Sequence, residues 1–171
     1  MKKRTYAALA SLLGAGMILS ACGFGQSADS QQPKPHSGSD HVKQTASGDL
    51  QEKTASLDKL PAFLSQASAE VKSGYVTAAS VSDILSSIPC YCGCGESAGH
   101  KSNLNCFISE INKDGSVLWD DHGTRCGVCL ETAKTTAEMK KQGKSLKEIR
   151  RIIDEQYKEG YAPPTPTPMP L

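Results

Sequence analysis

Three thiols stand within five residues in Cys90-Tyr91-Cys92-Gly93-Cys94, a fourth follows at Cys106, and Cys126-Gly127-Val128-Cys129 adds a CxxC pair. Bridging Cys90 to Cys92, or Cys92 to Cys94, closes a small and strained ring, and giving each a distant partner crowds three bridges onto one turn. Thiolates at alternating positions of a looped backbone converge instead on a soft metal, and Gly93 lets the chain wrap closely around it. Cys126 and Cys129 stand three apart at the start of a predicted helix, so both sulfurs face one side. There the helix N-terminus and Arg125 favour their thiolate forms. His100 lies between Cys94 and Cys106, and His122 lies four residues before Cys126. Each is a candidate ligand as well as an ordinary loop histidine.

The expected metal site is therefore Cys90, Cys92, Cys94, Cys106, Cys126 and Cys129, with His100 and His122 as secondary ligands. Cu(I) is the first choice of metal and Zn(II) the second. One zinc tetrahedron uses four ligands and leaves thiols over, whereas Cu(I) takes two or three thiolates each and forms clusters with bridging sulfurs. Two alternatives stay open. CxxC also serves thiol-disulfide oxidoreductases, which would make Cys126 and Cys129 redox-active, and six thiols in an oxidising compartment can form a framework of three bridges in a plain binding module. Asp120, Asp121 and Glu96 read as solvated loop carboxylates in preference to acceptors for histidine, and Tyr91 and Trp119 as covers that keep water off the site. No nucleophile elbow, phosphate-binding glycine loop or paired-carboxylate signature is found, so the reading leans away from an enzyme and no catalytic residue is assigned.

The elements that position these residues are mainly helical. Pro61 suits a first turn, and Phe63, Leu64, Ala67, Val71 and Tyr75 recur with helical spacing up to Ala79, with a break at Gly74. Ser82 or Asp83 caps a short helix carrying Ile84, Leu85 and Ile88 that stops at Pro89. Cys106-Phe107-Ile108 and Val117-Leu118-Trp119 flank Asn112-Lys113-Asp114-Gly115 and predict a β-hairpin. Thr124 is the predicted cap of the helix carrying Cys126, Cys129, Ala133 and Ala137, which ends at Gly143. Ser145-Leu146-Lys147-Glu148 is a capping box, and Leu146, Ile149, Ile152, Ile153 and Tyr157 form the apolar face of a last helix. The expected fold is mainly α, of the α+β type: a small cysteine-rich helical domain with a short β-hairpin and a C-terminal αα-hairpin.

Beyond that domain the chain reads as an address and two appendages. Met1-Lys2-Lys3-Arg4 followed by small apolar residues has the charge-then-greasy order of a secretory signal, too short to span a bilayer permanently. Its end, Leu19-Ser20-Ala21-Cys22, resembles the lipobox of bacterial lipoproteins, in which the cysteine becomes diacylated. The two acyl chains suffice for stable anchoring. The expected organisation is a lipoprotein signal peptide at 1–21, a lipidated disordered tether at 22–56, the cysteine-rich domain at 57–161 and a proline-rich tail at 162–171. The tether is poor in apolar residues and the tail holds five of the nine prolines. Nineteen Lys and Arg against 18 Asp and Glu give a net charge of +1, which implies no nucleic-acid partner. The expected partners are the membrane, through the lipid on Cys22, and a protein that donates or accepts metal.

These residues resemble one family, the PCYCGC-motif lipoproteins of Gram-positive bacteria. The resemblance rests on Pro89 to Cys94, Gly99-His100, Cys106-Phe107-Ile108, His122-Gly123, Cys126, Cys129, Gly143, Ser145 and Ile149. It implies a position on the outer face of the plasma membrane and a domain of about 100 residues, and it supplies no activity. A weaker similarity, confined to CxxC, a helix, a Gly-x-Ser turn and a second helix ending near a tyrosine, is to the thioreductases of cytochrome c maturation.

Overall fold

The computed structural model describes residues 41–170. The expected signal peptide, Cys22 and the part of the expected tether before His41 lie outside the described residues. Strands β1 (Val42–Gln44), β2 (Leu50–Thr54), β3 (Ile108–Ile111) and β4 (Val117–Asp120) form one antiparallel sheet in the order β1-β2-β4-β3. Helices α1 (Ala69–Ser80), α2 (Ser82–Leu85), α3 (Cys94–Ser97), α4 (Gly127–Lys141) and α5 (Leu146–Gln156) complete an α+β domain, with 3-10 turns at Ala62–Leu64, Asn103–Cys106 and Asp121–Arg125. No helix among the described residues is long and apolar enough to cross a membrane.

The expected hairpin is β3 and β4, turning at Gly115 with φ +84°. It is half of the sheet, because residues 42–54, expected to be part of a disordered tether, are strands. Residues 42–54 form a second hairpin, and β2 pairs with β4 in the register Gln51 to Asp120 and Thr54 to Val117. Scarcity of apolar residues predicted disorder there, yet this hairpin is held by main-chain pairing and polar side chains. Gln51 Nε2 donates to Asp120 Oδ2 at 2.7 Å, Trp119 Nε1 to Thr54 Oγ1 at 2.8 Å, and the Leu50 amide to Asp121 Oδ1 at 2.8 Å. Each such bond contributes about 1 kcal/mol net, which a count of apolar residues does not register.

The tail is likewise part of the fold. Its prolines keep it extended, and amides of two residues among or beside them dock it: Ala162 donates to the Tyr91 carbonyl at 3.0 Å and Thr165 to the Cys90 carbonyl at 3.1 Å. Arg150, buried on α5, donates through one guanidinium nitrogen to the carbonyls of Thr167 and Pro168 at 3.0 and 3.1 Å.

The helix expected from Pro61 to Ala79 is broken at residues 65–68 rather than at Gly74. Ser68 caps α1, accepting from the Val71 amide, and Gly74 lies inside the helix against Leu130. Tyr75 projects from α1 into the core, edge-on to Phe107 at 5.1 Å, and its hydroxyl donates to the Asp120 carbonyl at 2.7 Å. Leu85, Ile88, Ile108, Trp119, Ile149 and Ile153 are fully buried around it. α4 and α5 form the expected αα-hairpin, with Gly143 at φ +79° and the Ser145–Glu148 capping box intact. α4 begins later than predicted, at Gly127, because Thr124 belongs to the preceding 3-10 turn and donates its hydroxyl to the Asp121 carbonyl.

Candidate metal centre

Three segments bring the thiols together. Gly93, at φ +88°, turns the chain after Cys92 so that Cys94 opens α3 and faces back toward Cys90. Cys106 ends the 3-10 turn before β3. Cys126 stands immediately before α4, and Cys129 lies in that helix's first turn. The Cys90 sulfur lies 3.2 Å from Cys92, 2.9 Å from Cys94, 3.6 Å from Cys106 and 3.5 Å from Cys129. Cys129 is in turn 3.0 Å from Cys106 and 3.7 Å from Cys92, and Cys94 is 3.7 Å from Cys106. Cys126 joins through a trio with Cys92 and His122 whose donor atoms all lie within 4.8 Å of one another. All six are free thiols.

The longer contacts match the edge of a tetrahedron with metal–sulfur bonds of about 2.3 Å, which is about 3.8 Å. The arrangement can hold a thiophilic metal. Cys90, Cys94, Cys106 and Cys129 are at most 1% exposed, while Cys92 and Cys126 are partly exposed.

Both histidines reach the cluster. His100 is buried with Nδ1 3.5 Å from the Cys106 sulfur, and the two imidazoles lie edge to face at 4.8 Å. Cys94, His100 and His122 form a further trio. His122 Nδ1 is 3.1 Å from Asp49 Oδ1, which orients the ring and leaves Nε2 for the sulfur side. A carboxylate behind a ligating imidazole fixes its tautomer and raises its basicity. Asp49 is itself buried and paired with Arg125. Asp120 is buried too, accepting from Gln51 and from the His122 amide at 3.0 Å. This corrects its reading as a solvated loop carboxylate. A polar cavity of about 340 Å³ opens onto Asp49, His100 and Asp120.

Protons are shared unequally among the thiols. Hydrogen bonds from Cys106 and Cys129 draw Cys90 down to about 4, and bonds from Cys106, Cys126 and Cys129 draw Cys92 down as well. Cys129 moves the other way, held up by donating to Cys106 and Cys126 and by burial. Cys94 is pulled down by Cys106, and Cys106 by Cys129, but in each case bonds to Cys90 and Cys92 together with burial win and the thiol is raised. His122 is raised, first by its bond to Cys92 and then by Asp49 against burial, whereas burial lowers His100.

The bond from Cys129 pulls Cys126 down, but its bond to Cys92 and burial outweigh that and leave it raised, at about 11. Cys129 is buried against Cys106.

Tyr91 closes the motif from one side, stacked on Tyr157 at 5.0 Å with its hydroxyl donating to Asp154. Trp119, expected as a cover, is instead a core residue of the sheet. Asp49 and Thr165 were missed because both fell in segments read as unstructured. Their signals were present: Ser47-Gly48 is a turn pair between two short alternating runs, and threonine is the donor-bearing residue in the Pro-Thr repeat.

Fold and site together define a class: a small α+β domain closed around one cluster of six thiols and two imidazoles. The chain belongs to the family described as proteins of unknown function with a PCYCGC motif, whose model matches residues 11–170. No curated protein and no solved structure matches the chain.

Proposed function

We propose that this protein is a membrane-anchored extracytoplasmic lipoprotein that binds Cu(I) and serves as a metallochaperone, buffer or sensor. The observation that carries this reading is the convergence of six free thiols from three segments, with sulfur–sulfur contacts of 2.9 to 3.7 Å and two imidazoles at the edge. Soft thiolates in excess of one tetrahedron favour Cu(I) over zinc. Asp49 behind His122 is the support that a ligating histidine needs. The lipobox-like Leu19-Ser20-Ala21-Cys22 supports anchoring through Cys22 on the outer face of the plasma membrane of a Gram-positive bacterium. The physiological partner in this reading is a protein that hands over or receives the metal.

The test is the intact mass of the full chain, produced through an export pathway and weighed under native and denaturing conditions. Mass lost on denaturation, with six thiols free in the folded part, is the expected result and identifies the element. A mass short by six protons under both conditions means three disulfides and overturns the proposal.

A further inference from the structure

We propose, resting on the metal-binding reading above, that the site holds several Cu(I) ions in one thiolate-bridged cluster with two tiers: a sealed inner store and an outer position from which copper is exchanged. Cys90 is the reason for more than one metal. In a mononuclear tetrahedron each sulfur has three partners at the edge distance, yet the Cys90 sulfur has four other sulfurs within 3.6 Å. The donor sets overlap in the same way. Four cysteine-containing trios recur: Cys90 with Cys94 and Cys106, Cys90 with Cys92 and Cys129, Cys92 with His122 and Cys126, and Cys94 with His100 and His122. Each shares a donor residue with the next, and Cys90, Cys92 and Cys94 each belong to two. A thiolate has lone pairs enough to bridge two Cu(I) ions, and Cu(I) is satisfied by two or three sulfurs, so shared sulfurs are what this metal uses.

The two tiers follow from exposure. Cys90, Cys94, Cys106 and Cys129 are at most 1% exposed, and the tail strap is bonded to Cys90 and Tyr91 beside them. The trio of Cys92, Cys126 and His122 is the partly exposed end. An incoming thiolate can displace a sulfur there without opening the fold. Cys92 belongs to both tiers, as a ligand of the outer metal and a bridge to the inner ones. The acceptor that this edge suits presents a soft thiolate of its own. Transfer is then ligand exchange with no change of oxidation state: Cu(I) leaves Cys126 for the incoming sulfur, and Cys126 takes up the proton that the acceptor thiol releases.

The experiment is anaerobic titration of the reduced full chain with Cu(I), followed by removal with a colourless Cu(I) chelator that becomes coloured on binding. We expect two to four Cu(I) per chain, a copper–copper scattering path in the X-ray absorption spectrum, and biphasic removal. Cys126→Ser, at a partly exposed position outside the core, should lose the fast phase and one copper equivalent while the slow phase stays. Cys90→Ser should weaken the copper–copper path, leaving the part bridged through Cys92, and circular dichroism of each variant reports whether it is folded. One Cu(I) per chain, or a fast phase untouched by Cys126→Ser, overturns this inference and leaves the proposed function standing. No bound metal overturns both.

Discussion

Thr165 and Cys90, 75 residues apart, hold each other by two hydrogen bonds: the Thr165 amide donates to the Cys90 carbonyl at 3.1 Å, and the Cys90 amide donates to Thr165 Oγ1 at 2.9 Å. The first cysteine of the cluster is thus positioned by the C-terminal tail. Thr165→Val keeps the shape but leaves the buried Cys90 amide without an acceptor, which costs about 1–3 kcal/mol. Urea unfolding should show that loss, and deleting residues 162–171 should exceed it because Arg150 then loses two carbonyl acceptors as well. Wild-type stability in both variants would show that the strap does not hold the motif.

Gly123 shows how tightly the loop carrying His122 is packed behind Cys106. A Cβ there would meet the Phe107 ring at 2.7 Å and the Cys106 carbonyl oxygen at 2.9 Å, and neither a buried ring nor backbone yields easily. Gly123→Ala should destabilise the fold by about 1–3 kcal/mol through overpacking. It should also weaken metal binding, because relief of the clash moves either Cys106 or His122. A thermal melt and a competition titration check the two effects separately, and an unchanged melting temperature would refute the packing argument.

What could be read from the sequence follows from the range of the interactions. Local signals were legible: the Ser145–Glu148 box, Gly143 at the helix end, and the turn ending at Gly115 each depend on residues within four positions. The six thiols and two histidines were also legible as one group, since residue type and spacing alone narrow what they can do. Residues 42–54 were not, because their pairing depends on β4, more than sixty residues away, and their side-chain bonds are polar. Asp49 behind His122 and Thr165 behind Cys90 were hidden for the same reason. The break before α1 was hidden because the apolar spacing of Phe63, Leu64 and Ala67 is shared by a 3-10 turn and a helix.

Asp49 gives the pH dependence a sign. Burial would raise its carboxyl, but hydrogen bonds with Ser47 and His122 and the nearby charges of His122 and Arg125 outweigh burial and hold it below its ordinary 3.8. A carboxyl lowered on folding contributes stability that is fully present above its unfolded value and is lost as pH falls through its folded value. Unfolding free energy should therefore drop below about pH 4 more steeply in the wild type than in Asp49→Asn. The same variant frees the His122 ring and should cost about 10–100-fold in metal affinity at neutral pH, the usual penalty for losing a carboxylate behind a ligand. Parallel acid-denaturation curves for the two proteins would remove Asp49 from this role.

Gly74 sets two effects of known size against each other. It lies mid-helix in α1, where alanine is better than glycine by about 1 kcal/mol, so on propensity alone Gly74→Ala should stabilise. A Cβ there would sit 2.2 Å from Leu130 Cδ2 on α4, an overlap that costs about 1–3 kcal/mol if the leucine stays in place. Leu130 is only partly buried and its overlapping atom is the tip of a flexible side chain, so part of the clash is relieved by rotation toward solvent. The net result should be a small destabilisation, about 1 kcal/mol, with the packing of α1 on α4 loosened. The double variant Gly74→Ala with Leu130→Ala separates the terms. With the leucine tip gone the new methyl is accommodated, and Gly74→Ala should become stabilising in that background by about the propensity difference. A double-mutant cycle by urea unfolding with no coupling between the two positions would show that the α1–α4 contact does not depend on this glycine.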